Sequence, residues 1–501
     1  MGGYGNCRVR SATLHGVEAR LVDVEVSITS GLPGMAIVGM PDTAVQEARE
    51  RVRSAIRASG FSMPADKIVV NLAPGGLRKT GSGFDLPIAL GILVASGQLP
   101  TALVKGKVVV GELSLDGCVR DVAGMLAFEL CAQEYGLGLL CPTTSVNVIE
   151  MESVELFGVS RLTDFKSGIF DVPHGIPAAS GACKDYRDVG GHEMAKRALQ
   201  VAAAGSHGIM MMGPPGSGKT MLAERLPSIL PPLDAREQLE TARIYSAAGE
   251  DMSSVVAGVR PFRHPHHSVS NAGLLGGGSP VHPGEVSLAH NGVLFLDEVS
   301  QFSRTTLQGL RQPMEDGRIT IVRVDGAYCM PARFMLVAAS NPCPCGYLGD
   351  PSVPCRCAPS DVLSYQARLG GPLIDRIDLQ IDVWRTSFDK VVHAGSDLSS
   401  DELREGVLRA RAFRSWRLEK SSFDEGDSTS TRVSDLISRN RVDAEGEAFL
   451  RAASAAHSLS GRSIVRTIGI ARTIADIAES ESVQLDHIAE AFGLRLREAA
   501  K

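Results

Sequence analysis

The sequence predicts an α/β protein organised around a phosphate-binding parallel sheet, with a second α/β block before it and a helical block after it. Three observations predict this class. Ile209–Met212 is an apolar run that feeds a glycine-rich loop and then Lys219 and Thr220. Two later apolar runs, Val293–Leu296 and Phe334–Ala339, are followed closely by polar residues, Asp297-Glu298 and Asn341. The chain has 501 residues, more than one hydrophobic core organises, so two to four domains are expected.

The blocks divide as residues 1–170, a linker over 171–184, a nucleotide-binding domain over 185–388 and a helical domain over 389–501. In the first block Val22-Asp-Val-Glu-Val-Ser-Ile28 alternates apolar and polar residues and predicts a strand. Ile68–Leu72 and Val108–Val110 predict further strands, and Asp42–Ser59 has helical spacing with many charges. The linker is marked by Pro173, Gly175, Pro177 and Gly181. The last block reads as amphipathic helices interrupted by a polar stretch, Ser421–Thr431.

Bulk properties exclude several classes. No apolar stretch reaches the ~20 residues that span a bilayer. The N-terminus lacks a basic segment followed by an apolar one. A cytoplasmic protein with no membrane partner is therefore expected. Ten cysteines in a chain of this size do not make a disulfide scaffold. The net charge of −6 gives no global attraction to nucleic acid, so any such contact must come from local basic loops.

The central block carries the chemistry. The backbone N–H groups of Gly213, Pro215-flanked Gly216, Ser217 and Gly218 can curl around a phosphate chain, and Pro214 and Pro215 stiffen its approach. Lys219 reaches the β and γ phosphates, the Thr220 hydroxyl sits on Mg²⁺, and the following helix offers its positive end. ATP and Mg²⁺ are the expected ligands. Asp297, 78 residues after Lys219, is placed to help hold Mg²⁺, and Glu298 to polarise the attacking water. Asn341 either orients that water or forms a turn before Pro342. Arg376 either reaches a neighbouring subunit's γ-phosphate or pairs with Asp375 or Asp378. Arg462 is either a lid arginine aimed at the phosphates or a plain cation at a helix start, with Arg466 as a rival.

Two insertions suit a polymer. Arg260–Gly278 packs Arg260, Arg263, His264, His266 and His267 into a loop that ends in glycines, which is expected to be mobile and to touch phosphates and bases. A metal site is the other reading of its histidines, although no acid or cysteine lies beside them. Ile319–Met330 predicts a hairpin through its Asp-Gly turn, either projecting into a pore or covering the sheet edge. Four cysteines, Cys343, Cys345, Cys355 and Cys357, form two Cys-x-Cys pairs separated by nine residues. They suit a tetrahedral zinc site; free thiols and two disulfides are the alternatives.

The order Gly213–Thr220, Asp297-Glu298, Asn341, Arg376 resembles that of AAA+ ATPases. Pro261–Gly278, Pro283–Gly292, Asn341–Gly346 and Ala471–Asp476 resemble the ComM (YifB) family of magnesium-chelatase-like proteins, and the resemblance covers essentially the whole chain. It implies a homo-hexameric, ATP-driven DNA motor that promotes branch migration on single-stranded or branched DNA, working with recombination proteins as in natural transformation. It also implies a central AAA+ domain, a C-terminal helical lid and chelatase-type hairpin insertions. A chelatase-type remodelling subunit with a protein or tetrapyrrole client is the alternative.

Asn71–Asp85 and Gly111–Leu126 are similar to the Lon-protease catalytic domain, a ribosomal-protein-S5-like α/β fold. Lon uses a Ser–Lys dyad; here Gly83 and Leu126 fall at the matching positions, with Ser82 and Lys79 nearby but displaced. A nucleophile needs a base within hydrogen-bond reach, so the block is expected to be non-proteolytic. Family members usually carry an aromatic–His pair before the last long helix; Ile464 and Val465 stand here instead.

Overall fold

The computed structural model describes residues 5–145, 153–173, 184–324, 326–368, 371–374, 376–388, 398–420 and 433–495. Residues 174–183 of the expected linker, all of Ser421–Thr431, Asp325 of the hairpin turn and Asp375 lie outside the described residues.

The first block forms a mixed seven-stranded sheet in the order β3-β4-β2-β1-β5-β8-β9. Its strands are β1 (Asn6–His15), β2 (Glu18–Thr29), β3 (Gly34–Val38), β4 (Lys67–Ala73) and β5 (Lys107–Val109), then a small ribbon, β6 (Glu112–Leu113) with β7 (Val119–Arg120), then β8 (Gly138–Pro142) and β9 (Leu156–Val159). The period-two pattern in β2 works as expected: Val22, Val24, Val26 and Ile28 are buried, while Glu25 and Thr29 face water. The helix Thr43–Ala58 starts where Asp42 accepts a hydrogen bond from the Val45 N–H at 2.9 Å. It buries Val45, Ala48, Val52, Ala55 and Ile56, one helical face. The helix Asp85–Ala95 is apolar on every side and is buried on nearly every side. It lies against β2 closely enough that a Cβ at Gly91 would stand 2.6 Å from Val26 Cγ2.

The central sheet has five parallel strands in the order β11-β12-β15-β10-β16. They are β10 (Ile209–Met212), β11 (Phe262–Arg263), β12 (Gly292–Leu296), β15 (Phe334–Ser340) and β16 (Leu379–Asp382); between them β13 (Arg318–Arg323) and β14 (Gly326–Pro331) form a hairpin. Every residue of β10 and β12 is buried, as a parallel sheet covered on both faces requires. Met212 pairs with Ser340 and Leu296 with Ala338, so β10, β12 and β15 end side by side. The loops after those strands carry the phosphate motif, the acidic pair and Asn341, at the end of the sheet where such folds bind ligands.

The predicted hairpin is a separate two-stranded sheet with Arg323 opposite Gly326. Its Ile319, Tyr328 and Met330 are buried and its tip exposes Val322 and Val324. The last block supplies helices Ser400–Lys420, Val433–Arg439, Ala444–Ala456, Gly461–Ile477 and Leu485–Gly493. Asp443 and Ser460 cap two of them by accepting from the Gly446 and Ser463 N–H groups. Ile468, Ile470 and Ile474 join one core with Ala198, Leu199 and Val293. Another core links the first block to the centre, because Val17 and Leu126 pack with Ala242, Tyr245, Leu288 and Met330. The Gly124 and Leu126 N–H groups donate to Ser246 at 2.7 and 3.1 Å, and the His15 ring lies 4.3 Å from Tyr328. Among the described residues no helix is long and apolar enough to cross a membrane.

Candidate phosphate-transfer site

The phosphate loop leaves β10 through a tight passage. A Cβ at Gly213 would meet the Val383 carbonyl oxygen at 2.0 Å, and Gly218 has φ +85°, a left-handed conformation that favours glycine. Lys219 then turns back over the loop. Its Nζ donates to the Gly213 and Pro214 carbonyls at 2.8 and 2.9 Å and lies 3.4 Å from Asn341 Oδ1 and from Ser217 Oγ. Burial pushes the Lys219 pKa down, while Asp297 and Glu298 push it back up.

The expected acids converge on the same place. Thr220 Oγ1 donates to Asp297 Oδ2 at 2.7 Å. Those two oxygens are close enough to share one octahedral cation, so the residues fit Mg²⁺. Asp297 Oδ1 accepts from the Glu298 N–H at 2.9 Å. Glu298 is exposed and has φ +48°, an uncommon conformation for a residue other than glycine. That backbone turns the carboxylate out of the strand line, and such conformations concentrate at functional sites. Sheet order thus brings Lys219, Thr220, Asp297 and Asn341 together, with Glu298 at the rim.

Three neighbours went unread in the sequence. A Cβ at Gly218 would stand 3.3 Å from His192 Nε2, and that ring shares a 3.4 Å hydrogen bond with Thr386 Oγ1. Arg385 donates to the Pro215 carbonyl from Nε and Nη2 at 3.3 and 3.1 Å, and its guanidinium lies 5.5 Å from the Tyr347 ring centroid. Gly190-Gly-His192 before a helix start was the only signal for the first; Arg385 and Tyr347 carry none.

The arginines need correction. Arg376 pairs with Glu315, at the end of helix Arg311–Asp316, 2.7 Å away; Asp375, one of its two expected partners, lies outside the described residues. Asp378 is taken by Arg466 at 2.6 Å, and Arg466 also donates to the Arg376 carbonyl. Arg466 is therefore a structural link between lid and sheet. Arg462 joins Arg376 on Glu315, at 3.3 Å. Arg260 and Arg263 are not free loop cations. Arg260 donates to Glu237 and to the Pro231 and Asn291 carbonyls. Arg263 holds Glu285 by two bonds of 2.7 and 2.9 Å, a pairing that raises its pKa. The expected mobile glycine run is a closed turn in which Gly277 and His282 exchange backbone hydrogen bonds. His264, His266 and Arg323 stay exposed, and the His266 and His267 rings lie 4.0 Å apart, tilted by 36°.

In the first block the residues near the Lon positions are committed elsewhere. Ser82 Oγ donates to the Glu112 carboxylate, and the buried Lys79 ammonium donates to the Pro74 carbonyl. Leu126, at the lysine position, is buried.

The four cysteine Sγ atoms lie within 4.8 Å of one another. Cys343 stands 3.4 Å from Cys345 and 3.7 Å from Cys355, Cys345 stands 3.6 Å from Cys355, and the Cys345 N–H donates to Cys357 Sγ at 3.4 Å. These separations exceed the ~2.05 Å of a disulfide, so the disulfide reading is set aside. They suit a tetrahedral metal.

Comparison with known families finds three matches along the chain. The family described as "Magnesium chelatase, subunit ChlI" matches residues 185–391, "Subunit ChlI of Mg-chelatase" matches residues 24–145, and "Magnesium chelatase, subunit ChlI C-terminal" matches residues 397–495. The chain is 39% identical to the uncharacterized protein YifB of Salmonella typhimurium over 491 residues, 96% of this chain and 95% of that one. It is 39% identical to the competence protein ComM of Haemophilus influenzae over 507 residues, 97% of each chain. The magnesium-chelatase 67 kDa subunit of Chlorobaculum tepidum is 28% identical over 159 residues, 31% of this chain and 23% of that one. The chain therefore belongs to the ComM/YifB family of magnesium-chelatase-like AAA+ proteins.

Proposed function

We propose that this protein is an ATPase that drives branch migration of DNA as a homo-hexameric ring. The observation that carries the ATPase reading is the Thr220–Asp297 bond of 2.7 Å beside Lys219 and Asn341, with Glu298 at the rim. Lys219 releases the loop carbonyls to take the β and γ phosphates. Glu298 accepts a proton from the attacking water, and Asn341 holds that water in line. Thr220 and Asp297 would hold Mg²⁺, which would supply charge neutralisation to the phosphates. Arg376 and Arg462 share Glu315 within one chain, which presents both cations together. In the ring they leave Glu315 and reach the neighbouring subunit's γ-phosphate.

The DNA reading is supported by the similarity to a protein named for competence and by the exposed His264, His266, Arg323 and hairpin tip. Arg260 and Arg263 no longer support it. The ATPase would move this hairpin against the strand. A chelatase-type remodelling role is the second reading, favoured by the three family matches. A synthetic four-way junction separates the two: purified protein should convert it to duplex products with ATP, and Glu298→Gln should bind ATP and convert none. Parental ATP turnover with no junction processing would favour the second reading.

A further inference from the structure

The cysteine cluster is not an isolated appendage. Cys343 lies two residues beyond Asn341, is fully buried, and begins the loop that returns over the phosphate motif. Gly346, with φ +85°, presses on that motif: a Cβ there would stand 2.5 Å from Pro215 Cδ and 3.8 Å from Asn341 Cγ. Tyr347 lies under Arg385, which donates to the Pro215 carbonyl. Pro215 is thus contacted both by the cysteine loop and by Arg385, which that loop's Tyr347 supports.

The thiols have the spacing a metal demands. Zinc bound by thiolates at ~2.3 Å in a tetrahedron puts the sulfurs ~3.8 Å apart; the observed pairs are at 3.4, 3.6 and 3.7 Å. The Cys345 N–H pointing at Cys357 Sγ is the outer hydrogen bond that steadies a thiolate ligand. All-sulfur tetrahedral sets take zinc or iron among common ions, and we infer that Cys343, Cys345, Cys355 and Cys357 bind one zinc ion that fixes the far wall of the phosphate cradle, positioning Pro215 and Asn341 for ATP. This rests on the ATPase reading for its consequence and on the sulfur geometry for the metal. The cysteines are positioning residues. Without the metal the loop loses its crosslink, Gly346 no longer holds Pro215, and the cradle loosens.

The test measures metal and nucleotide separately. Elemental analysis of the purified full chain should give close to one zinc per chain, and exchange for Co²⁺ should give the intense thiolate-to-cobalt bands of a tetrahedral site. Zinc stripping with a thiol reagent and chelator should weaken binding of a fluorescent ATP analogue by roughly 10–100-fold, and reduction with added Zn²⁺ should restore it. Gly346→Ala keeps all four thiolates; it should retain zinc yet weaken the analogue by about tenfold, through Pro215. Cys355→Ser should lose zinc. No zinc and no Co²⁺ signal, or iron in its place, would overturn the site. Zinc present but analogue affinity unchanged in both stripped protein and Gly346→Ala would overturn the coupling. Lys219→Ala should keep zinc and lose the analogue; tight analogue binding by that variant would sink the ATPase reading and leave the metal site standing.

Discussion

Replacing Arg376 by alanine separates catalysis from folding more cleanly than any other change at the site. Its contact with Glu315 is 2.7 Å, but Glu315 is 46% exposed. An ion pair open to water on its glutamate side contributes about 1 kcal/mol. Arg376→Ala should therefore leave the protein folded, with a melting temperature lowered by a few degrees at most. An arginine supplied to a γ-phosphate accounts for roughly 10³–10⁵ in turnover, about 4–7 kcal/mol of barrier. The functional loss should exceed the stability loss several-fold. Steady-state ATP hydrolysis should fall by at least about 10³ while a fluorescent ATP analogue binds within about tenfold of the parent. Mixing Arg376→Ala with Lys219→Ala adds the decisive arm, since each is inactive alone. In a randomly mixed ring about a quarter of the interfaces unite an intact Lys219 with a neighbour's intact Arg376, and activity should return in that proportion. Parental turnover by Arg376→Ala would refute the role, and a mixture as inactive as its components would refute its action across the interface.

Other outcomes follow from buried charges and from the corrected insertion. Arg51 pairs with the fully buried Asp85 at 2.6 Å, and burial already pushes that carboxyl up against the pull of Arg51. Arg51→Ala strands it and should destabilise the first block by about 3–5 kcal/mol in urea denaturation; a loss below about 1 kcal/mol would show the aspartate simply takes up a proton or water at little cost. Burial lowers the fully buried His290 to about 4, with Glu240 opposing and Arg333 assisting. Between pH 6.5 and 4 the unfolded chain binds a proton there that the folded chain does not, so this contribution is intact above pH 6.5 and falls as pH drops through that window. It amounts to roughly 3 kcal/mol at most, and His290→Gln should flatten that part of a stability-against-pH curve; an unchanged slope would contradict the assignment. Arg323→Ala should reduce the salt slope of DNA binding by about one, and Arg263→Ala should leave it unchanged while costing stability. The reverse pattern would restore the insertion arginines as DNA contacts.

The elements and the central site were legible to different degrees, for physical reasons. Strand β2 and the helix Thr43–Ala58 follow directly from local periodicity. The phosphate loop, Asp297 and Asn341 were readable because each follows an apolar strand, and parallel pairing then makes their meeting a matter of topology. Partners distant in sequence were not readable. Glu315 lies 61 residues from Arg376 and shows no local mark, whereas Asp378 beside it did. The Arg260–Gly278 insertion misled because its charge count says nothing of Glu237 and Glu285, which neutralise it. His192, Arg385 and Tyr347 reach the phosphate loop only through tertiary packing.

Steady-state ATP hydrolysis with and without single-stranded DNA, at low and at physiological salt, tests the central claim most directly. Local phosphate contacts on an engine coupled to DNA predict hydrolysis that DNA stimulates, with the stimulation shrinking as salt rises. Hydrolysis at the same rate with and without DNA at both salt concentrations would contradict a DNA motor.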